Sequence, residues 1–352
     1  MYITAIKLLK ICSKYPLGVN FTSMMQTQAK KGYLVFFSII YMLLLYSLMS
    51  AYTTQGSFLV SSIANFDTSN KIMVGLAGII FTLIFGTLMF SYKISDYSNR
   101  IFVILKFLFF AIAIAIMIFY ININFLNNKP ISLSSFIFAW PTLLPSFGFH
   151  NIIPVIYEYQ KGDIKKIKKS IFIGSVIVLI VYIIWIFLAL SLIPQQGLHS
   201  YQTLFNNGNN TPTGFAIEIK KLSGSIILES GLNIFIHMAI ITSFIGVGVS
   251  LIHYVRDLFN RYNIKINNLF LGLICFIPPL IFTNFYPQGF ILALQYAAIF
   301  AVIIFVYTPV FLNKKIDAKF KYINIYVIFM GSLVIFCQIL NLYFDINPFS
   351  SL

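Results

Sequence analysis

The sequence is short of charge, and this shortage decides the class of protein. Only 9% of the 352 residues are charged, whereas 59% are hydrophobic. A soluble domain carries about 25% charged residues, so a polar surface this sparse cannot cover so much apolar area in water. The sequence therefore predicts an all-α integral membrane protein in contact with the lipid bilayer.

Cysteine and histidine are also scarce, which argues against a disulfide framework or a metal site. The three cysteines cannot form such a framework, and neither they nor the four histidines have the spacing of a metal motif. We therefore expect neither a metal nor a cofactor. The formal charge of +15 does not indicate nucleic acid as a partner, because the basic residues are dispersed in short segments between apolar runs.

Apolar windows of about 20 residues predict about nine transmembrane helices. They lie at 33–55, 72–91, 101–120, 136–157, 171–193, 226–251, 268–285, 289–312 and 322–343. The segments before, between and after them alternate in basic content, and 19 of the 24 Lys and Arg residues fall in one alternating set while four fall in the other. The positive-inside rule then puts the N-terminus inside and the C-terminus outside. Residues 1–32 are expected to lie on the inner surface as an interfacial segment, and the outer loop 194–225 to form a surface loop or lid.

The predicted span 136–157 carries Pro141, Pro145 and Gly148 near its middle. Pro145 removes a backbone donor, and Gly148 lets the chain leave helical geometry. An unpaired backbone group in hydrocarbon costs several kcal/mol, so a break needs a cavity, protein or ligand beside it. Secondary transporters place their substrate site at such breaks. A proline kink that only shapes helix packing is the alternative.

The residues at the break are therefore candidate substrate contacts. They are Ser146, Phe147, Gly148, Phe149 and His150. Free amides near Gly148 to Asn151 would receive an anionic group, and the last carbonyls of the first half would suit an ammonium. Either phenylalanine could instead face lipid. His150 has two alternative roles, as a proton carrier or as a neutral ring bonded to a freed carbonyl.

Several segments together carry a family resemblance. They are "SFGFH", "KGDIKKIKKSIFIGS", "VYIIW", "ITSFIGVGVSLIHYVRDLF", "FIPPLIFTNFYPQGFILALQYA" and "YSLMSAYTTQGS". They resemble the hydroxy/aromatic amino acid permeases, a family that contains the tryptophan- and tyrosine-specific proton symporters of bacteria. The resemblance covers nearly the whole chain, although Pro145 and Asn151 stand where the family has a small polar residue and a glycine.

The resemblance implies a leucine-transporter-type bundle of two inverted repeats. Residues 33–120 would be the remainder of the first repeat, 136–312 the second repeat with its broken helix at 136–157, and 322–343 a final peripheral helix. Residues 1–32 would include the tail of the second helix of a truncated bundle, so that the first helix and most of the second are absent.

It also implies a function, namely import of aromatic amino acids by proton symport across the bacterial cytoplasmic (inner) membrane. The partners would be an aromatic amino acid and protons. Tyr52, at the end of the first predicted span, is a further candidate substrate contact. Two alternatives stay open: a truncated, non-transporting remnant of such a permease, and an integral membrane enzyme.

The same resemblance points to a proton-coupling group formed by Lys106, Thr242 and Ser243. Lys106 lies about 9 Å inside the predicted inner edge at 1.5 Å per residue, and Thr242 and Ser243 lie at a comparable depth. In related proton-coupled transporters a lysine on the fifth helix faces the eighth and takes the place of a sodium ion. The alternative is that the Lys106 side chain reaches back to the interface.

Overall fold

The structure, a computed structural model, describes residues 1–17, 24–25, 31–126, 133–209, 211–261, 263–287, 289–313 and 321–344. Over these ranges the chain is helical and contains no strand. The α-helices are α1 (Tyr2–Cys12), α2 (Lys31–Ala64), α3 (Lys71–Thr87), α4 (Tyr92–Met117), α5 (Leu133–Ser146), α6 (Ile153–Tyr159), α7 (Ile164–Leu192), α8 (Tyr201–Asn206), α9 (Pro212–Ser223), α10 (Ile226–Arg261), α11 (Asn268–Phe285), α12 (Phe290–Ala301), α13 (Thr308–Asn313) and α14 (Lys321–Phe344).

Eight helices in the described part of the chain are long and apolar enough to cross a membrane. They cover 31–64, 71–90, 93–120, 164–192, 226–260, 268–285, 290–312 and 322–344. This confirms the prediction of an all-helical membrane protein. The remaining predicted span, 136–157, is not one helix, because α5 ends at Ser146 and α6 begins at Ile153.

The chain divides into two compact units, and the first contains Met1–Leu44, Ile131–Tyr182 and Leu294–Leu352. Within it α1 packs against α6 and α13 and buries seven of its residues, including Thr4 and Lys7. The Lys7 ammonium donates to Asn324 Oδ1 at 2.5 Å. The segment expected at the membrane surface thus contributes to the packing of this unit, while its residues 18–23 and 26–30 lie outside the described residues.

A π-helical stretch, Val302–Tyr307, joins α12 to α13 in this unit. Pro309 has no N–H, and its ring would clash with the carbonyl of Phe305 in a regular helix; a wider π turn relieves that clash. The Thr308 hydroxyl donates to the Ile303 carbonyl at 2.8 Å. α14 approaches this stretch at Gly331, where an added Cβ would lie 3.0 Å from Val306 Cγ1.

The second unit contains Leu45–Pro130 and Ile183–Ala293. Its main helix pairs are α4 with α10 and α3 with α11. Hydroxyl groups link the helices, since Thr54 Oγ1 lies 3.1 Å from Thr283 Oγ1 and the Tyr46 hydroxyl donates to the Ile274 carbonyl at 2.8 Å. Such bonds and small residues hold membrane helices together, because lipid tails are as apolar as leucine.

Gly56 shows how tightly these helices approach, and it gives a testable prediction. An added Cβ at Gly56 would overlap the ring of the buried Phe81. We expect Gly56→Ala to destabilise the protein by about 1–3 kcal/mol, because the ring must move within a packed core. Thermal unfolding in detergent, followed by circular dichroism, measures the loss.

Gly32→Ala is the matched control, since an added Cβ at Gly32 of the same helix meets nothing within 4 Å. This change should be neutral or raise stability by up to about 1 kcal/mol through helix propensity. Equal melting temperatures for the two variants would contradict the packing described.

Candidate functional site

The helix break predicted near Gly148 is a short connection between α5 and α6. Phe147, Gly148 and Phe149 are not helical, and a 3-10 turn at His150–Ile152 leads into α6. The Gly148 amide donates to the Pro145 carbonyl at 2.9 Å and the Phe147 amide to the Leu144 carbonyl at 3.2 Å. A tight turn therefore takes up two of the carbonyls that the helix end would otherwise leave free.

The backbone amides at the break differ in whether they already donate a hydrogen bond. The Phe149 amide is already bonded to the Phe147 carbonyl at 3.1 Å. The amides of His150 and Asn151 donate to no group in the described part of the chain. The amides without a partner therefore lie at the C-terminal end of the range 148–151 that the sequence predicted.

Tyr182 of α7 supports the break from the side. Its hydroxyl donates to the Ser146 carbonyl at 2.8 Å, and its ring packs edge-on against Phe147 at 5.2 Å between centroids. The Ser146 hydroxyl turns back to the Thr142 carbonyl at 3.0 Å. Sequence reasoning missed Tyr182, because one tyrosine among 21 carries no distinguishing signal.

His150 is fully buried, with 0% of its surface exposed. Its Nε2 lies 2.8 Å from Thr4 Oγ1, and its ring stacks on Phe305 of the π stretch at 5.0 Å. The Thr4 hydroxyl donates its single hydrogen to the Met1 carbonyl at 2.7 Å, so Nε2 must supply the proton of the His150–Thr4 bond. Nδ1 is then an acceptor, and it is buried with no partner in the described residues.

The other predicted site residues lie in the second unit. Tyr52 is half-buried on α2, and Gln55 follows it one turn later. Gln55 is only 1% exposed, yet neither atom of its amide group has a hydrogen-bond partner in the described part of the chain. Buried polar side chains rarely lack partners, so Gln55 is a candidate that sequence reasoning missed.

Lys106, Thr242 and Ser243 sit on α4 and α10, which pack against each other. No hydrogen bond joins them among the described residues. The Lys106 ammonium lies 5.5 Å from the centroid of the Phe107 ring, and the Thr242 hydroxyl donates within its own helix to the Ala239 carbonyl at 3.0 Å. Lys106 is thus a half-buried cation whose hydrogen-bond donors are unused in this structure.

The predicted outer loop folds into α8 and α9. Ser200 caps the first by accepting from the Thr203 amide, and Thr211 caps the second by accepting from the Gly214 amide. α9 packs on α10, and Lys220 forms a 2.7 Å ion pair with Glu229 of α10. This pair depends on how the loop folds, so no local pattern in the sequence predicts it.

A second ion-pair group fixes α9 to the chain that precedes it. The Glu218 carboxylate lies 2.6 Å from His199 Nδ1 and 3.0 Å from the Lys221 ammonium. Among the described residues no group of three His, Cys, Asp or Glu side chains is placed to hold a metal ion.

Comparison with known proteins identifies the family. Residues 1–346 match the tryptophan/tyrosine permease family. The tyrosine-specific transport system 1 of Haemophilus influenzae is 32% identical over 266 residues, which are 74% of this chain and 64% of that protein. The tryptophan-specific transport protein of the same organism is 32% identical over 207 residues, 58% of this chain and 49% of that protein. The low affinity tryptophan permease of Escherichia coli K12 is 32% identical over 224 residues, 60% of this chain and 52% of that protein.

These matches confirm the resemblance seen in the sequence. The matched part spans less than two thirds of each of these relatives' own length. The family consists of permeases, so the alternative of a membrane enzyme is set aside. Its relatives are bacterial permeases and its helices are long enough to span a bilayer, so the chain is a multi-pass protein of the bacterial inner membrane. The match over residues 1–346 shows that the chain belongs to the tryptophan/tyrosine permease family.

Proposed function

We propose that this chain works as a secondary transporter that imports aromatic amino acids by proton symport. The observation that carries the proposal is the helix interruption between Ser146 and His150 in a chain of a permease family. Relatives that match it are named for tyrosine or tryptophan transport. A break at this position supplies polar backbone groups inside an apolar layer, as substrate sites of transporters require.

The substrate would bind at the break through both its backbone and its ring. The Asn151 amide, which has no partner in the described residues and belongs to an exposed residue, would receive the carboxylate. Phe147 and Phe149 would face the aromatic side chain, with the exposed Ser146 and Gly148 allowing close approach. Tyr52 is the further proposed contact.

The finer architecture also belongs to the proposal. We propose a leucine-transporter-type arrangement in which 33–120 and 136–312 are inverted repeats. The interruption of the helix that opens the second repeat supports it, since the broken helices of such folds lie at corresponding positions in the two repeats.

Protons would be coupled through Lys106. Its half-buried position on α4, opposite the helix that carries Thr242 and Ser243, supports this role. A lysine inside the membrane costs about 2.5–3.5 kcal/mol on insertion scales, so deep lysines tend to be reserved for function. The neighbouring hydroxyl oxygens would accept hydrogen bonds from the Lys106 ammonium in one state of the transport cycle and lose these bonds in another.

The proposal is tested by uptake into proteoliposomes that hold the purified full chain. With acid outside, we expect saturable accumulation of labelled tryptophan, tyrosine or phenylalanine that a protonophore abolishes. Gly148→Leu should remove this uptake, because an added Cβ would already lie 3.0 Å from the Pro145 carbonyl oxygen.

Gly174→Leu on α7 is the matched control, since a Cβ there meets nothing within 4 Å. Its uptake should equal that of the wild type. No saturable uptake by the wild type would favour the non-transporting remnant. Normal uptake by Gly148→Leu would remove the broken helix from the substrate site.

Replacing Lys106 separates coupling from binding. Lys106→Ala should abolish proton-driven accumulation while exchange of labelled for unlabelled substrate continues, because only the proton carrier is lost. Lys93→Ala, at the exposed start of the same helix, is the control and should keep both activities. Accumulation that survives in Lys106→Ala would refute the assignment.

For His150 we propose a positioning role, based on its bond to Thr4 and its stacking on Phe305. His150→Gln keeps a donor for Thr4 but cannot titrate. The variant should lower the yield of folded protein and leave the pH profile of uptake per folded molecule unchanged. A flattened profile in a well-folded variant would instead make His150 the proton carrier.

A further inference from the structure

A cavity of about 270 Å³ lies within the second unit, between the start of α4 and the last turns of α10. We call it the α4–α10 cavity. Five polar side chains line it, namely Ser95, Asp96, Asn99, His253 and Arg256. None of them belongs to the broken helix or to the Lys106 group. Its volume is close to the smallest volumes found for small-molecule binding sites, about 300 Å³.

Three of these side chains have hydrogen-bonding capacity that no described residue uses. Ser95 is only 7% exposed, and its hydroxyl makes no hydrogen bond in the described part of the chain. Asn99 Oδ1 is buried without a partner, and the ring of the exposed His253 makes no hydrogen bond there. Native proteins satisfy most buried polar groups with protein, water or ligand, so the presence of Ser95 and Asn99 at one cavity points to an occupant.

The charges around the cavity have both signs. Arg256 donates from one terminal nitrogen to Asn268 Oδ1 at 3.0 Å, which leaves most of its five N–H groups available. Asp96 accepts from Arg100 at 2.9 Å, and a carboxylate has further acceptor sites. Arg256 with His253 suits a carboxylate, while Asp96 with the free Asn99 oxygen suits an ammonium.

The rest of the wall is apolar. Met89, Phe90 and Val249 contribute to it, and Phe90 offers a ring face or edge to an aromatic group. Gly246 lies in the lining, and an added Cβ there would meet nothing within 4 Å. A ligand that matches the cavity carries a carboxylate, an ammonium and a large apolar group on one small molecule.

We propose that the α4–α10 cavity is a second binding site for an α-amino acid with a large apolar side chain, separate from the site at the broken helix. The choice of an aromatic amino acid as the ligand rests on the proposed transport function. Asn99 precedes Lys106 by seven residues on α4, about 10 Å along the axis. The charge distribution predicts that the N-terminal end of α4 is cytoplasmic, and the cavity lies nearer to this end than Lys106 does. The cavity would therefore hold substrate on the cytoplasmic side of Lys106.

Photolabelling tests this assignment on the full chain in lipid nanodiscs, with p-azido-L-phenylalanine as the probe. Label should appear on residues 89–99 or 245–256, and L-tryptophan should compete for it. N-acetyl-tryptophanamide, which lacks both charges, should not compete. Absence of label from both segments, or equal competition by the uncharged compound, would overturn the proposal.

Two variants with matched controls sharpen the test. Gly246→Leu should fill the cavity and lower labelling there at least about tenfold, whereas Gly231→Leu on the same helix, with equally open space at its Cβ, should not.

Arg256→Gln should lower labelling at least about tenfold by removing a charge-assisted bond, and Lys93→Gln should not. If Arg256→Gln fails to fold, Gly246→Leu decides alone, and undiminished label in that variant overturns the site.

Uptake by the same preparation separates this inference from the transport proposal. A chain that is labelled here but transports nothing retains the cavity site and refutes the transport proposal. A chain that transports but carries no label in these segments refutes the cavity site alone.

Discussion

Inside an apolar layer, every backbone amide and carbonyl needs a partner supplied by the protein. This constraint is most demanding at the break between α5 and α6, where regular helical hydrogen bonds are interrupted. Most of the chain meets it with uninterrupted helices. At the break, a tight turn uses the Leu144 and Pro145 carbonyls, and the Tyr182 hydroxyl takes the Ser146 carbonyl. The two amides left over, at His150 and Asn151, donate to no group within the described residues.

Polar side chains follow the same principle in the two units. Thr54 and Thr283 bond each other, and Lys7 is buried against Asn324, so these groups are explained by packing. Gln55 and His150 Nδ1 are not, since they are buried and unpartnered in the described residues. Native proteins satisfy most buried polar groups with protein, water or ligand, so these two groups differ from the paired ones in needing a further partner.

Charge is concentrated at the helix ends, where it has two structural uses. At α9 it fastens the segment between α7 and α10 to α10 through Lys220 and Glu229. At the other end of α10 it frames a cavity with Arg256 and Asp96. On the neighbouring helix α4, Lys106 is half-buried and makes no hydrogen bond within the described part of the chain. A proton carrier needs a group of this kind.

The sequence by itself determined the class of protein, most of the spans, the family and the place of the break. These follow from properties that are local along the chain: mean hydropathy over 20 residues, the missing N–H of Pro145 and the missing Cβ of Gly148. The tertiary structure decided which groups meet. Tyr182 is 36 residues from Ser146, and Thr4 is 146 residues from His150. No periodicity encodes such pairs, because they depend on which helix faces pack together. The burial of α1 and the polar lining of the α4–α10 cavity have the same origin, since both arise only when distant segments are brought into contact.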